Sequence, residues 1–289
     1  MSLLIAYLSA LIQQEPMNDF IEKGAEIVRI PKDFQFTEGP VWTKKGTLLF
    51  TDIPASKIYE WNGKEVTVYR DGTNNANGLT IDKAGNLYSC EHGSRTVSKE
   101  TEGKVSIIAS LYDGKKLNSP NDVAVHPNQR IIAFTDPSYG IRSNQAELDH
   151  KSVYLYDLES KNLSLFYKGK NMPNGLVFSA KANYLYIADS GAGLLEKFVY
   201  EGKLAGEPTW SVVAPGADGI RLDTEGNIWA ACSDGVRIYS SAGKLLSTIK
   251  FPEQPANLCF GEDGKTLFVT ARKGVYYVKV AKKGIMPGH

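Results

Sequence analysis

The chain has 289 residues, 42% of them hydrophobic, enough for a sizeable core and long enough for one large or two ordinary domains. Its 33 basic and 32 acidic residues leave a formal charge of +1, so no strong field recruits nucleic acid or an anionic membrane, and a small molecule is the expected partner. Three cysteines, Cys90, Cys232 and Cys259, lie on or beside apolar runs; they suggest no disulfide framework and read as buried free thiols.

Residues 3–12 form an apolar run too short to span a bilayer, and it lacks the basic flank and clean cleavage site of a signal peptide. A clipped signal remnant, a short packed helix and a vector-derived extension all fit it. Localisation therefore stays open between the cytoplasm and export. Residues 1–20 are set apart as a tail, and 21–289 as one domain. Within that domain, residues 26–30 (EIVRI) read as a strand without a neighbour to pair with.

From Thr37 onward, six segments superpose. They are TEGPVWTKKGTLLFTD from Thr37, ANGLTIDKAGNLYSCE from Ala76, PNDVAVHPNQRIIAFTD from Pro120, PNGLVFSAKANYLYIAD from Pro173, ADGIRLDTEGNIWAACS from Ala217 and PANLCFGEDGKTLFVTA from Pro255. Each is an apolar run, a turn and a second apolar run, with glycines 46, 85, 226 and 264 marking hairpins. Alternating runs follow, such as 58–61 with 66–69, 153–156 with 163–167 and 236–239 with 245–250, giving four strands per unit. Short strands at this period predict an all-β fold, a six-bladed β-propeller of four-stranded antiparallel blades. The sixth unit lacks its outer strand, and residues 26–30 are expected to supply it, closing the ring without an open edge.

The second residue of the first five units is Glu38, Asn77, Asn121, Asn174 and Asp218, at intervals of 39, 44, 53 and 44 residues; the sixth unit has Ala256 there. Asn and Asp before Gly are common turn residues, so any one of these proves little. Five oxygen donors in register, one per blade, place a metal or polar-ligand site at one mouth of the central channel. The second strand of each blade runs back antiparallel, which returns Asp52, Glu91, Asp136 and Asp189 to the same mouth as a second tier of oxygens. The longest interval contains residues 137–151, a loop expected at that mouth as a lid, with Tyr139 facing the ligand.

Glu38, Asn121, Asn174 and Asp218 offer two carboxylates and two amide oxygens. With no His or Cys in the column, calcium is the expected divalent cation, and magnesium, manganese and zinc are the alternatives. Asn77, Glu91, His92, Asp136 and Tyr139 are the expected substrate contacts, with Asp122 placed to orient Asn121. No Ser/His/Asp set, G-x-S-x-G, P-loop or H-E-x-x-H motif is present, which argues against serine catalysis and nucleotide phosphoryl transfer.

The segments FTEGPVW (36–42), NSPNDVAV (118–125), MPNGLVFS (172–179) and GADGIRLD (216–223) resemble those of the gluconolactonase/regucalcin family of six-bladed propellers. SCEHGSRTV (89–97) and FTDPSYGI (134–141) resemble the bacterial gluconolactonase branch. The resemblance implies one catalytic divalent cation held by Glu38, Asn121, Asn174 and Asp218, and hydrolysis of lactones. Relatives such as diisopropyl fluorophosphatase and the paraoxonases cleave phosphoesters or other lactones. Regucalcin-like members carry an arginine two residues before the metal-binding Asn; this chain has Ser119 there, so its sugar recognition uses other groups.

The expected reaction is metal-assisted opening of a sugar lactone, with Asp218 orienting or deprotonating water and Glu38 next in line for that role. A phosphotriesterase-like hydrolase and a non-enzymatic calcium- or sugar-binding propeller are the competing readings, because one scaffold hosts many functions. The sequence expects no transmembrane segment and says nothing of oligomeric state.

Overall fold

Each of the first five repeats folds as four antiparallel strands laid side by side in chain order, innermost first. The computed structural model of the protein describes residues 19–169 and 171–289. The apolar run at 3–12 lies outside the described residues. Blade 1 is Thr37–Trp42, Leu48–Asp52, Lys57–Trp61 and Val66–Asp71. The inner strands of blades 2 to 6 are Ala76–Ile81, Val123–Val125, Pro173–Phe178, Ile220–Leu222 and Asn257–Gly261. The result is the all-β, six-bladed propeller that the repeat predicts.

Blade 6 takes its fourth strand from the start of the chain. Val28–Arg29 pairs antiparallel with Gly274–Lys279, Val28 opposite Tyr277. The closing strand is two residues long rather than the five expected. It is anchored by Ile30, which is fully buried and donates its N–H to Val275 O at 2.8 Å. Ordered packing reaches back to Phe20, whose ring stands edge-on to Trp229 at 5.6 Å, so the domain's packed core starts one residue before 21. Among the described residues no helix is long and apolar enough to cross a membrane.

Local chemistry explains the hairpins. In blades 2 and 5 the turn reads D-x-x-G-N. Asp82 accepts the N–H groups of Ala84 and Asn86, both at 2.9 Å, and the Tyr88 hydroxyl at 3.0 Å. Asp223 repeats this with Glu225 N at 3.0 Å, Asn227 N at 2.9 Å and Trp229 Nε1 at 3.0 Å. The aspartate thus caps the turn and satisfies a buried aromatic donor on the returning strand.

The hydrophobic core lies between blades rather than on the axis. Tyr88 and Val97 of blade 2 pack with Ile132 and Phe134 of blade 3, and Trp42 of blade 1 stacks on Phe268 of blade 6 at 5.2 Å. Each fully buried large side chain of this kind contributes roughly 1.5–3 kcal/mol. Cys90, Cys232 and Cys259 are free and buried within these layers. The axis is left to the inner strands. In blades 1, 2 and 4 their ladder slips between Glu38 and Val41, Ala76 and Leu79, and Pro173 and Leu176. Such bulges re-aim side chains, and here they sit at the column residues.

Candidate metal and substrate site at the channel mouth

All five column residues reach the same mouth. Glu38, Asn77, Asn121 and Asn174 are 4–5% exposed, and Asp218 keeps a partly open face. Glu38 Oε2 accepts Gly39 N–H at 2.6 Å and Asn257 Nδ2 at 2.9 Å. Burial and then the charge of Asp122 push the Glu38 carboxyl up. Asp218 is also pushed well up, by burial first and then by Glu38 and Asp122. Clustered carboxylates in a water-poor site raise one another's proton affinity, an arrangement that suits a cation.

The amides are anchored by their nitrogens, which leaves their oxygens free. Asn174 Nδ2 donates to Ser190 Oγ at 3.0 Å, and Asn77 Nδ2 meets His92 Nε2 at 3.1 Å. The Oδ1 atoms of both are buried without a hydrogen-bond partner. Buried polar atoms are almost always paired, so these two point to an absent ligand. Among the described residues no three His, Cys, Asp or Glu side chains form a metal cluster. The donor set is instead two carboxylates with amides, and it fits a hard divalent cation.

His92 is 9% exposed, and burial lowers its imidazole to about 4. The ring is therefore neutral, and its Nε2 accepts from the Asn77 amide, turning Asn77 Oδ1 toward the mouth.

The second tier performs a different task from the one expected. Asp136 is fully buried and accepts Asn118 N–H and Ser119 N–H, both at 2.8 Å. Asp52 binds Gln35 N and Phe36 N, and Asp189 binds Asn171 N and Met172 N. Each aspartate thus clamps the segment that leads into the inner strand of its own blade. Glu91 is turned into blade 2, where it accepts Ser98 Oγ at 2.6 Å, Ser94 Oγ at 2.9 Å and Asn74 Nδ2 at 3.0 Å. Glu91 and Asp136, expected to touch substrate, instead direct their carboxylates into the scaffold; both are strand ends, whose side chains turn as readily to a neighbouring loop as to the channel.

The 137–151 loop carries one helical turn, Ser143–Gln145, and packs onto the mouth. Gly140 N donates to Ser119 Oγ at 2.9 Å, and a Cβ at Gly140 would lie 2.4 Å from that oxygen and 2.7 Å from His92 Cβ. That contact sets Tyr139 beside Asn174 and Ser190 with Asp218 in electrostatic reach, and burial raises its phenol.

One residue beyond the column, the blades carry Gly39, Gly78, Asp122, Gly175, Gly219 and Asn257. Asn257 was missed because the sixth column position is Ala256. Its signal is in the alignment: a glycine column interrupted by Asp and Asn. Gly39 has φ +48, and a Cβ there would lie 2.0 Å from Asn77 O.

Fold and site together define a six-bladed propeller with a cluster of oxygen donors at one channel mouth. The chain belongs to the SMP-30/Gluconolactonase/LRE-like family, whose pattern matches residues 36–273. A gluconolactonase from Zymomonas mobilis is 29% identical over 304 residues, covering 93% of this chain and 85% of that one. A regucalcin from Sus scrofa is 29% identical over 254 residues, covering 82% and 84%. The solved structure of a gluconolactonase from Xanthomonas campestris superposes with a TM-score of 0.84 at 28% identity, covering 90% of this chain and 91% of that one.

Proposed function

We propose that this protein is a lactonase that opens a sugar lactone with the help of one divalent cation, calcium being the best match. The family and its gluconolactonase relatives support a lactonase. The observation that supports the cation is the unpartnered buried oxygen Asn174 Oδ1, at a mouth where burial and neighbouring carboxylates push up Glu38 and Asp218. Glu38, Asn121, Asn174 and Asp218 would hold the ion. When bound, it supplies Lewis-acid polarisation of the ring carbonyl and stabilises the developing oxyanion.

The chain's own groups do the rest. Asp218, with its partly open face, would orient the attacking water, take its proton and return it to the departing ring oxygen. Asn77, held by neutral His92, accepts a hydrogen bond from a substrate hydroxyl. Tyr139 would donate a hydrogen bond from its phenol to the substrate and keep bulk water from the centre. The test is turnover of a panel of sugar lactones by protein as purified, after chelator treatment, and after return of calcium. Loss and recovery of hydrolysis are expected; full turnover by metal-free protein would refute the cation's role, and inactivity on every lactone would refute the reaction.

A further inference from the structure

Just below the donor column, the channel is crossed by side chains that the chemistry above does not use. Asn257 Nδ2, held to Glu38, also lies 3.4 Å from Asp122 Oδ2. Asn257 belongs to blade 6 and Asp122 to blade 3, which face each other across a six-bladed ring, so this contact lies on the axis. From blade 5, Arg221 brings Nη1 to 3.7 Å from Asp122 Oδ2 and donates to Ile220 O at 2.7 Å. The Arg221 side chain is 5% exposed and that of Asp122 1%.

The surrounding glycines make room for this crossing. A Cβ at Gly78 would lie 2.5 Å from Asp122 Oδ1, and one at Gly219 would lie 2.0 Å from Asn257 Oδ1. The layer therefore holds two polar side chains only because its other positions hold none. Buried charge without a partner is strongly unfavourable. Arg221 pairs with Asp122 and acts on Glu38, and Arg272 acts on Asp218, so three carboxylates outnumber the two guanidinium groups, an imbalance that a divalent cation would relieve.

We infer that Arg221 is a fixed internal cation of the channel. It holds Asp122, and Asp122 with Asn257 holds Glu38 in position for the ion. This rests on the column being a divalent-cation site. The two kinds of contact act on ion affinity with opposite sign. Arg221 repels the incoming cation while it orders the carboxylates, so removing its charge tightens binding. Asn257 carries no charge and only positions Glu38, so removing it weakens binding.

The experiment is calorimetric titration of chelator-stripped protein with calcium, paired with thermal melts with and without calcium. Arg221→Met should bind calcium about tenfold tighter or more, a modest fraction of the repulsion relieved between a divalent ion and a like unit charge some 10 Å away at intermediate dielectric. Its melting temperature should fall in chelator and recover more than the wild type's on adding calcium. Arg221→Lys, which keeps the charge, should stay near wild-type affinity. Asn257→Ala should bind about tenfold more weakly. If stripped Arg221→Met does not stay folded, its affinity is read by chelator competition from calcium-loaded protein. Unchanged or weaker binding by Arg221→Met, with equal melting losses in both buffers, would leave Arg221 a space-filler and overturn the inference alone. Absence of calcium binding by the wild type would overturn it together with the cation reading on which it rests.

Discussion

His92 gives the sharpest check on the geometry of the mouth. Its ring is buried and neutral, with its proton affinity lowered from 6.5 to about 4 by desolvation. In the unfolded chain the imidazole returns to its ordinary value. The folded value is depressed, so as pH falls through 6.5 the unfolded chain takes up a proton first. His92 therefore contributes stability that is fully present above 6.5 and is lost between 6.5 and about 4. Between pH 7.5 and 5.0 that linkage amounts to about 2 kcal/mol. His92→Gln removes the titration but keeps an acceptor for the Asn77 amide.

Urea unfolding of both proteins in chelator, at the two pH values, isolates the effect, because all other titrating groups are shared. The wild type should lose about 2 kcal/mol more than the variant on acidification. Parallel losses would mean that the ring is solvated and that burial does not hold it neutral. A companion variant carries the argument to function. His92→Phe fills the same space but leaves the Asn77 amide free to turn, so KM should rise about tenfold with little change in kcat. An unchanged KM would remove Asn77 from substrate binding.

Asp218→Asn should lower kcat by roughly 10²–10⁴ with the fold intact, the range for loss of a general base. Near wild-type turnover in ion-loaded variant would transfer that role to Glu38. Tyr139→Phe keeps the ring and removes the hydroxyl beside Asn174 and Ser190; lactone KM should rise several-fold in steady-state assays, and an unchanged value would leave the loop without a substrate contact. Ile30→Ala, at the fully buried anchor of the closing strand, should cost about 2–4 kcal/mol in urea unfolding. Wild-type stability there would show that ring closure does not depend on the N-terminal strand.

The propeller was legible because its information is redundant: six units carry the same alternation, and one irregular turn cannot hide the period. The donor column was legible for the same reason, five polar residues in register outweighing the turn preference of any one Asn-Gly. What stayed hidden has no such repetition. Alternation along a strand tells which face a residue occupies but not which neighbour it finds. Asp136 and Glu91 were placed at the same mouth, yet whether their carboxylates turn to the channel or to Asn118 and Ser119, and to Ser94 and Ser98, depends on how the adjoining segments fold back, which alternation does not encode. Asn257 escaped for a related reason. In blade 6 the polar residue at the axis is one position beyond the column, after Ala256, so a search of one column overlooks it. Arg221 reads in sequence as a polar residue within a strand, and only its ion pair to Asp122, from a blade two places away, reveals that it lies in the channel. The residues proposed to bind are thus written in the repeat, and the residues proposed to aim them are written in the departures from it: Asp and Asn in a column of glycines, and an arginine where other blades carry Val41, Thr80, Ala124, Val177 and Cys259. In a ring of near-equivalent blades, a single axial site can be made asymmetric only by such exceptions, which is why the exceptions rather than the consensus are where the chemistry of this chain is to be tested.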